Sequence, residues 1–202
     1  MTIIQTIEQL RSIYANPSEA SLVKVTRRLT PAYRAMIEHS PFLALSTVGP
    51  EGLDCSPRGD RGRAVRIEND ETILIPDWRG NNRTDSLENI VRDPRVALMF
   101  LVPGSNSVMR VNGRAVVSID EALLQSFEME GKHPRSVIVV TTVEVYFQCA
   151  RAVMRADLWN PERTVDAADV PTPGEMLKSA KEDFDDETYD REWAARAAST
   201  MW

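Results

Sequence analysis

The sequence predicts an antiparallel β-barrel with flanking helices, one domain in total. Three observations carry this. Between residues 42 and 147, six or seven short strand-like runs, several with apolar residues on alternate positions, follow one another at close spacing. Only one short helical pattern interrupts the first five runs, whereas a doubly wound parallel sheet needs a crossover helix between most strands. Clusters of Gly, Pro, Asn and Asp separate the runs as turns.

The elements follow in order. Residues 3–39 read as helices: Ile3, Ile7, Leu10 and Ile13 with Tyr14 recur at helical spacing, and Asn16-Pro17-Ser18 breaks the run. Thr30-Pro31 supplies a cap with proline at the first helical position, and Pro41 ends the region. Residues 1–40 are expected to pack on the barrel as a helical segment. Residues 42–48 form a strand, 49–52 a turn, and 53–57 the hairpin partner; 64–67 and 72–75 are two more strands. A helix at 84–92 follows, with Leu87, Ile90 and Val91 as its buried face, until Asp93-Pro94 stops it. The run 96–102 is apolar throughout and is expected in the core. A long strand at 108–119, a short helix near 120–129 and a strand at 137–147 complete the barrel, 41–159. The tail, 160–202, carries helical pieces at 174–181 and 186–199. It has too little apolar surface to fold alone, so it is expected to lie over the barrel or a partner subunit.

Charge divides along the chain. Residues 1–159 carry 19 Lys+Arg and 19 Asp+Glu, whereas residues 160–202 carry 5 against 11, which accounts for the net charge of -6. A nucleic-acid binder needs a basic stripe, and none is present. No apolar run approaches the roughly 20 residues that span a bilayer. The first ten residues lack the basic and apolar blocks of a signal peptide, so the expected compartment is the cytoplasm. Cys55 and Cys149 are too few for a disulfide framework, and both are expected as buried, reduced thiols. Arginine supplies 20 of the 24 basic residues. Fixed anion contacts favour that choice, and a G+C-rich coding sequence produces the same bias.

The most informative stretch runs from Ile75 through Pro76, Asp77, Trp78, Arg79, Gly80, Asn81, Asn82 and Arg83 to Leu87. An apolar strand ends here in a turn of hydrogen-bond donors at the start of a helix. Free backbone N–H groups and the positive end of the helix dipole hold phosphates at such places, and guanidinium forks add bidentate bonds. Two other segments supply Arg: Ser56-Pro57-Arg58-Gly59-Asp60, and Arg110-Val111-Asn112-Gly113-Arg114, whose Arg110, Asn112 and Arg114 share one strand face. Three polar side chains in a row fit either a solvated outer face or the lining of a site. There is no Gly-rich dinucleotide fingerprint, P-loop or nucleophile elbow. His39 and His133 are isolated, so no metal site is expected.

In this order the segments resemble the pyridoxamine 5′-phosphate oxidase-like flavoproteins, the FMN-binding split barrels. The likeness rests on Ser56-Pro57-Arg58, Leu74-Ile75-Pro76-Asp77, Gly80-Asn81-Asn82-Arg83 with Asp85-Ser86-Leu87, Asn89-Ile90, Asp93-Pro94-Arg95-Val96, and Arg110-Val111-Asn112-Gly113-Arg114-Ala115. Each piece alone is weak, and the ordered set is specific. The resemblance implies FMN at a homodimer interface. Its phosphate would be held by Arg58, Asn82 and Arg83, with Ser56 and Asn81. Ile75, Pro76 and Asp77 would border the ribityl chain and ring, and Arg110 and Asn112 would be candidate ring contacts, from the same or the second subunit. It implies an FMN-dependent oxidoreductase of a small molecule. The alternatives are a non-enzymatic flavin-binding or redox-sensing protein, or a reductase of the same fold that binds F420. The Arg-x-His that helps the oxidases proper hold substrate is missing, as is their Lys-containing motif on the early strands, so pyridoxamine phosphate itself is not the expected substrate. No catalytic residue stands out.

Overall fold

Alternating burial builds the sheet of this computed structural model, which describes residues 1–201 and their side chains apart from that of Ser199. The strands are β1 (Phe42–Gly49), β2 (Gly52–Gly59), β3 (Arg66–Ile67), β4 (Thr72–Asp77), β5 (Arg95–Leu101), β6 (Val108–Ser118) and β7 (Ser136–Gln148). They pair antiparallel in the order β2-β1-β5-β6-β7-β4-β3. Leu43 and Leu45, Leu98 and Phe100, Met109 and Val111, and Ile138 and Val140 point to one interior at every second position. Burying these side chains drives folding, at about 1.5–3 kcal/mol for each.

The sheet ends at β2 on one side and β3 on the other, which makes it a split barrel rather than a closed one. β3 is short and pairs only with Ile73 and Leu74 of β4, so residues 75–77 have no strand partner on that edge among the described residues. Side chains bridge the split. Arg58 of β2 forms an ion pair with Asp77 of β4, and Trp78 Nε1 donates to Asp60 Oδ2 at 2.8 Å.

The helix α4 (Asp85–Arg92) seats against β1 because Gly49 lacks a side chain: a Cβ there would lie 2.0 Å from Asn89 Oδ1. Asn89 Nδ2 donates to Thr47 Oγ1 at 3.1 Å. Ser86 and Ile90 are buried and Leu87 packs on the core, but Val91 is 77% exposed. At about 100° per residue, Val91 lies well past the centre of a face defined by Ser86 and Ile90, so the expected apolar face holds without it.

β5 also differs from expectation. Val96, Leu98 and Phe100 are buried, but Met99 is 42% exposed, with exposed Phe42 on the neighbouring β1. The strand is apolar on both faces and covered on one. In β6 the register shifts between Asn112 and Gly113, and a Cβ on Gly113 would meet Thr141 O at 2.6 Å. Only glycine fits this bulge.

The N-terminal segment packs on the barrel in its second half. α3 (Pro31–Glu38) starts at Thr30, whose Oγ1 accepts from Tyr33 N at 3.2 Å, and it buries Ile37. Thr26 bridges to Val145. α1 (Ile7–Ile13) and α2 (Glu19–Val23) bury no residue, so Ile3, Ile7, Leu10 and Ile13 form an exposed stripe. After β6 come α5 (Glu121–Gln125), then β7 and α6 (Arg151–Ala156). In the acidic tail, α7 (Pro173–Ala180) and α8 (Asp186–Thr200) form a hairpin of their own. Gly174 N donates to Asp190 Oδ1 at 2.9 Å, and Lys178 pairs with Asp186 at 2.8 Å. Among the described residues no helix is long and apolar enough to cross a membrane.

Both cysteines are exposed, against expectation. Cys55 belongs to the outward-facing set of an edge strand, and Cys149 lies just past the end of β7. The Arg151 backbone N–H donates to Cys149, which holds its thiol below the ordinary range.

Candidate functional site

A cavity of about 960 Å3 opens at the split, between β2, the end of β4, the 78–84 turn and α4. Register explains which side chains line it. Thr47, Leu45 and Leu43 of β1 point inward, and their partners across the ladder are Asp54, Ser56 and Arg58. These three therefore share the interior face, but at the sheet edge, where no opposite strand covers them. An inward-facing polar row on an edge strand is open to a ligand.

The polar groups are already ordered. Ser86 Oγ donates to Asp54 Oδ2 at 2.5 Å, and Ser56 Oγ donates to the same carboxylate oxygen at 3.1 Å. Arg58, with 22% of its side chain exposed, is fixed by Asp77; its Nε is buried and has no partner among the described residues. Arg83 N donates to Asn81 Oδ1 at 3.0 Å, an Asx turn that shapes the loop. Asn82 is left-handed at φ 61°, which asparagine tolerates better than most residues. The Arg83 side chain leans on Asp85 at 2.7 Å and is otherwise exposed. Thr84 makes no side-chain cap, which leaves the first-turn N–H groups of α4 at the cavity wall.

The charge balance suits an anion. Four guanidinium groups, Arg58, Arg79, Arg83 and Arg135, face three carboxylates, Asp54, Asp77 and Asp85. Arg58 and Arg83 are each paired within the cavity, and the surplus positive charge remains for a ligand.

A second cavity of about 450 Å3 shares Pro57, Arg58, Trp78 and Arg79 with the first and adds Ile75, Pro76, Ala64 and Met201. Its wall mixes these apolar side chains with Arg58, Asp60, Arg61 and Arg79. Trp78, pinned through Asp60, stands between the two compartments.

The sequence-predicted residues therefore divide. Ser56, Arg58, Asp77, Asn81, Asn82 and Arg83 line the larger cavity, and Ile75 and Pro76 line the smaller. Arg110 and Asn112 line neither. They alternate with buried Met109 and Val111, so they point to the outer face. There Arg110 stacks on Tyr146 at 5.0 Å, and Asn112 Nδ2 donates to Glu144 Oε2 at 2.9 Å. Within one chain they are not part of the cavity.

Sequence reasoning missed Asp54, Ser86, Arg135 and Ser136. Asp54 was legible, since it continues the two-residue period of Ser56 and Arg58. Ser136 was not: it faces the cavity because β4 and β7 pair Asp77 with Ser136, and no local pattern encodes that.

Comparison with known proteins agrees with this architecture. A family model described as pyridoxamine 5′-phosphate oxidase matches residues 29–149. No curated protein matches the chain. Among solved structures, tagged HupZ from Group A Streptococcus is 17% identical, with 60% of this chain and 94% of that one covered and a TM-score of 0.50, a likeness of fold alone. An FMN-binding protein from Syntrophomonas wolfei subsp. wolfei is 14% identical over 70% of this chain and 95% of that one, with a TM-score of 0.44. A protein titled F420 reductase is 18% identical over 59% of this chain and 98% of that one, with a TM-score of 0.45.

Proposed function

The chain belongs to the pyridoxamine 5′-phosphate oxidase family, and from that premise we propose that it is an FMN-binding flavoprotein acting as an oxidoreductase on a small molecule. One observation supports this most. The turn at Asn81, Asn82 and Arg83, the uncapped start of α4 and the partnerless Arg58 Nε converge on one cavity with surplus positive charge. That donor set fits a phosphate monoester, which carries close to two negative charges at neutral pH. The cavity lies within the roughly 300–1,000 Å3 typical of cofactor sites, and the adjoining compartment offers Ile75, Pro76 and the Trp78 ring as apolar surface for a flat ring.

In this reading Arg58, Asn82 and Arg83, with Ser56 and Asn81, hold the phosphate. Residues 75–77 present the bare edge of β4 to the rest of the cofactor, and Trp78 screens it from water. When bound, the flavin supplies hydride chemistry, and the protein supplies placement and electrostatics. The apolar outer residues Phe42 and Met99, bare in a single chain, support a homodimer joined through the β1–β5–β6 face. Arg110 and Asn112 would then reach a partner's cofactor.

The test is to purify the protein, release any ligand and identify it by mass spectrometry. FMN is expected, with absorbance bands at about 370 and 450 nm in the intact protein. Release of F420 would move the same site to a deazaflavin. No flavin bands after FMN is added, and no released ligand, would remove the reading. A flavin-loaded protein that shows no turnover with NADH, NADPH and a panel of acceptors would be a carrier or sensor instead.

A further inference from the structure

We propose that Arg135 and Ser136, at the start of β7, are ligands of the cofactor phosphate and close the side of the grip that the motif segments leave open. This rests on the cofactor reading above.

Three observations carry it. Ser136 is 6% exposed, and its Oγ makes no hydrogen bond among the described residues, although the residue lines the larger cavity. A buried hydroxyl without a partner is unfavourable, and one at the wall of a cavity is satisfied by what the cavity holds. Arg135 also lines the cavity and, unlike Arg58 and Arg83, has no carboxylate partner among the described residues. Its backbone N–H donates to Asp77 O at 3.0 Å, which anchors the segment to the end of β4.

Arg135 also orients a neighbour. Its Nη1 donates to Asn82 Oδ1 at 2.6 Å. A guanidinium only donates, so the Asn82 carbonyl must face it and the Asn82 amide N–H2 is left to donate elsewhere. The Ser136 hydroxyl, the free part of the Arg135 fork and the Asn82 amide thus offer three kinds of donor beside one another. A phosphate monoester, with three terminal oxygens, is the ligand class this set matches.

The test compares FMN with riboflavin, which lacks the phosphate, by quenching of flavin fluorescence in the wild type, Arg135→Gln and Ser136→Ala. FMN affinity is expected to fall about tenfold or more in Arg135→Gln and roughly threefold to fivefold in Ser136→Ala, with riboflavin affinity unchanged in both. FMN affinity equal to the wild type in both variants overturns the proposal, as does an equal loss for FMN and riboflavin, which would mark a merely structural role. Inorganic phosphate is the second probe. It should raise the melting midpoint of the wild type and have little effect on Arg135→Gln. If the wild type binds no flavin while this phosphate effect still depends on Arg135, the cofactor reading fails and the anion grip stands. If the phosphate effect is the same in both proteins, the proposal fails.

Discussion

The turn at 77–87 and the strand face at 110–114 carry the same chemistry, arginine and asparagine in close sequence, in opposite surroundings. In the turn, Arg58, Arg83 and Arg135 converge from three elements on one concave space whose carboxylates leave positive charge over. On the strand face, Arg110 and Asn112 are each met by an immediate neighbour. Arg110 lies on Tyr146, Asn112 on Glu144, and Arg114 stands opposite Arg95, which Asp93 holds at 2.6 Å. Residue type does not make a site. Converging elements and unspent donors do, and here the split of the barrel provides them.

The contrast predicts a graded set of effects. The largest is Arg58→Ala, which strands the Asp77 carboxylate at the split. Chemical denaturation should show stability lower by about 3 kcal/mol, the upper end for a hydrogen bond to a charged group, with flavin affinity reduced as well. Unchanged stability would mean that the ion pair does not help close the split.

Arg83→Ala should lower FMN affinity by roughly 1.5–3 kcal/mol in a fluorescence titration, with little change in stability because its pair with Asp85 is exposed. Arg110→Ala sharpens the contrast. It should cost the isolated chain only about 0.5–1 kcal/mol, its contact with Tyr146, and leave monomer flavin binding alone. Sedimentation should show weaker dimerisation. A loss of flavin affinity as large as that of Arg83→Ala, at dilutions where the chain is monomeric, would place the two regions in one site within one chain.

The smallest effect is a titration. Asp93 is held from 3.8 down to about 2, chiefly by the Arg95 guanidinium and next by the Arg95 backbone N–H, with Arg114 adding to the pull. A depressed carboxylate stabilises the fold above its ordinary range, and that contribution is lost as pH falls through about 2. NMR should find this midpoint, and Arg95→Ala should raise it toward 3.8 without altering flavin binding. A midpoint already near 3.8 in the wild type would show that the strand face does not spend its charges locally.

Much of the fold was legible. Short apolar-rich runs between turn residues located the strands, and where apolar residues alternate, a strand with one buried face writes its orientation into the sequence. Thr30-Pro31 marked α3 for a similar local reason: cap chemistry needs only neighbours. The misreadings arose where burial depended on what lies opposite. Val91 and Met99 are apolar yet exposed, and the stripe on α1 matches helix periodicity but stays exposed.

The sequence alone determined the strands, the donor-rich turn between β4 and α4, and the family likeness, since each depends on residues near one another in the chain. The tertiary structure decided which arginines share a cavity. Whether Arg58, Arg83 and Arg135 meet, while Arg110 turns away, depends on the order β2-β1-β5-β6-β7-β4-β3 and on the register that sets Ser136 against Asp77. Long-range pairing fixes both, because shifting a strand by one residue turns every side chain to the other face.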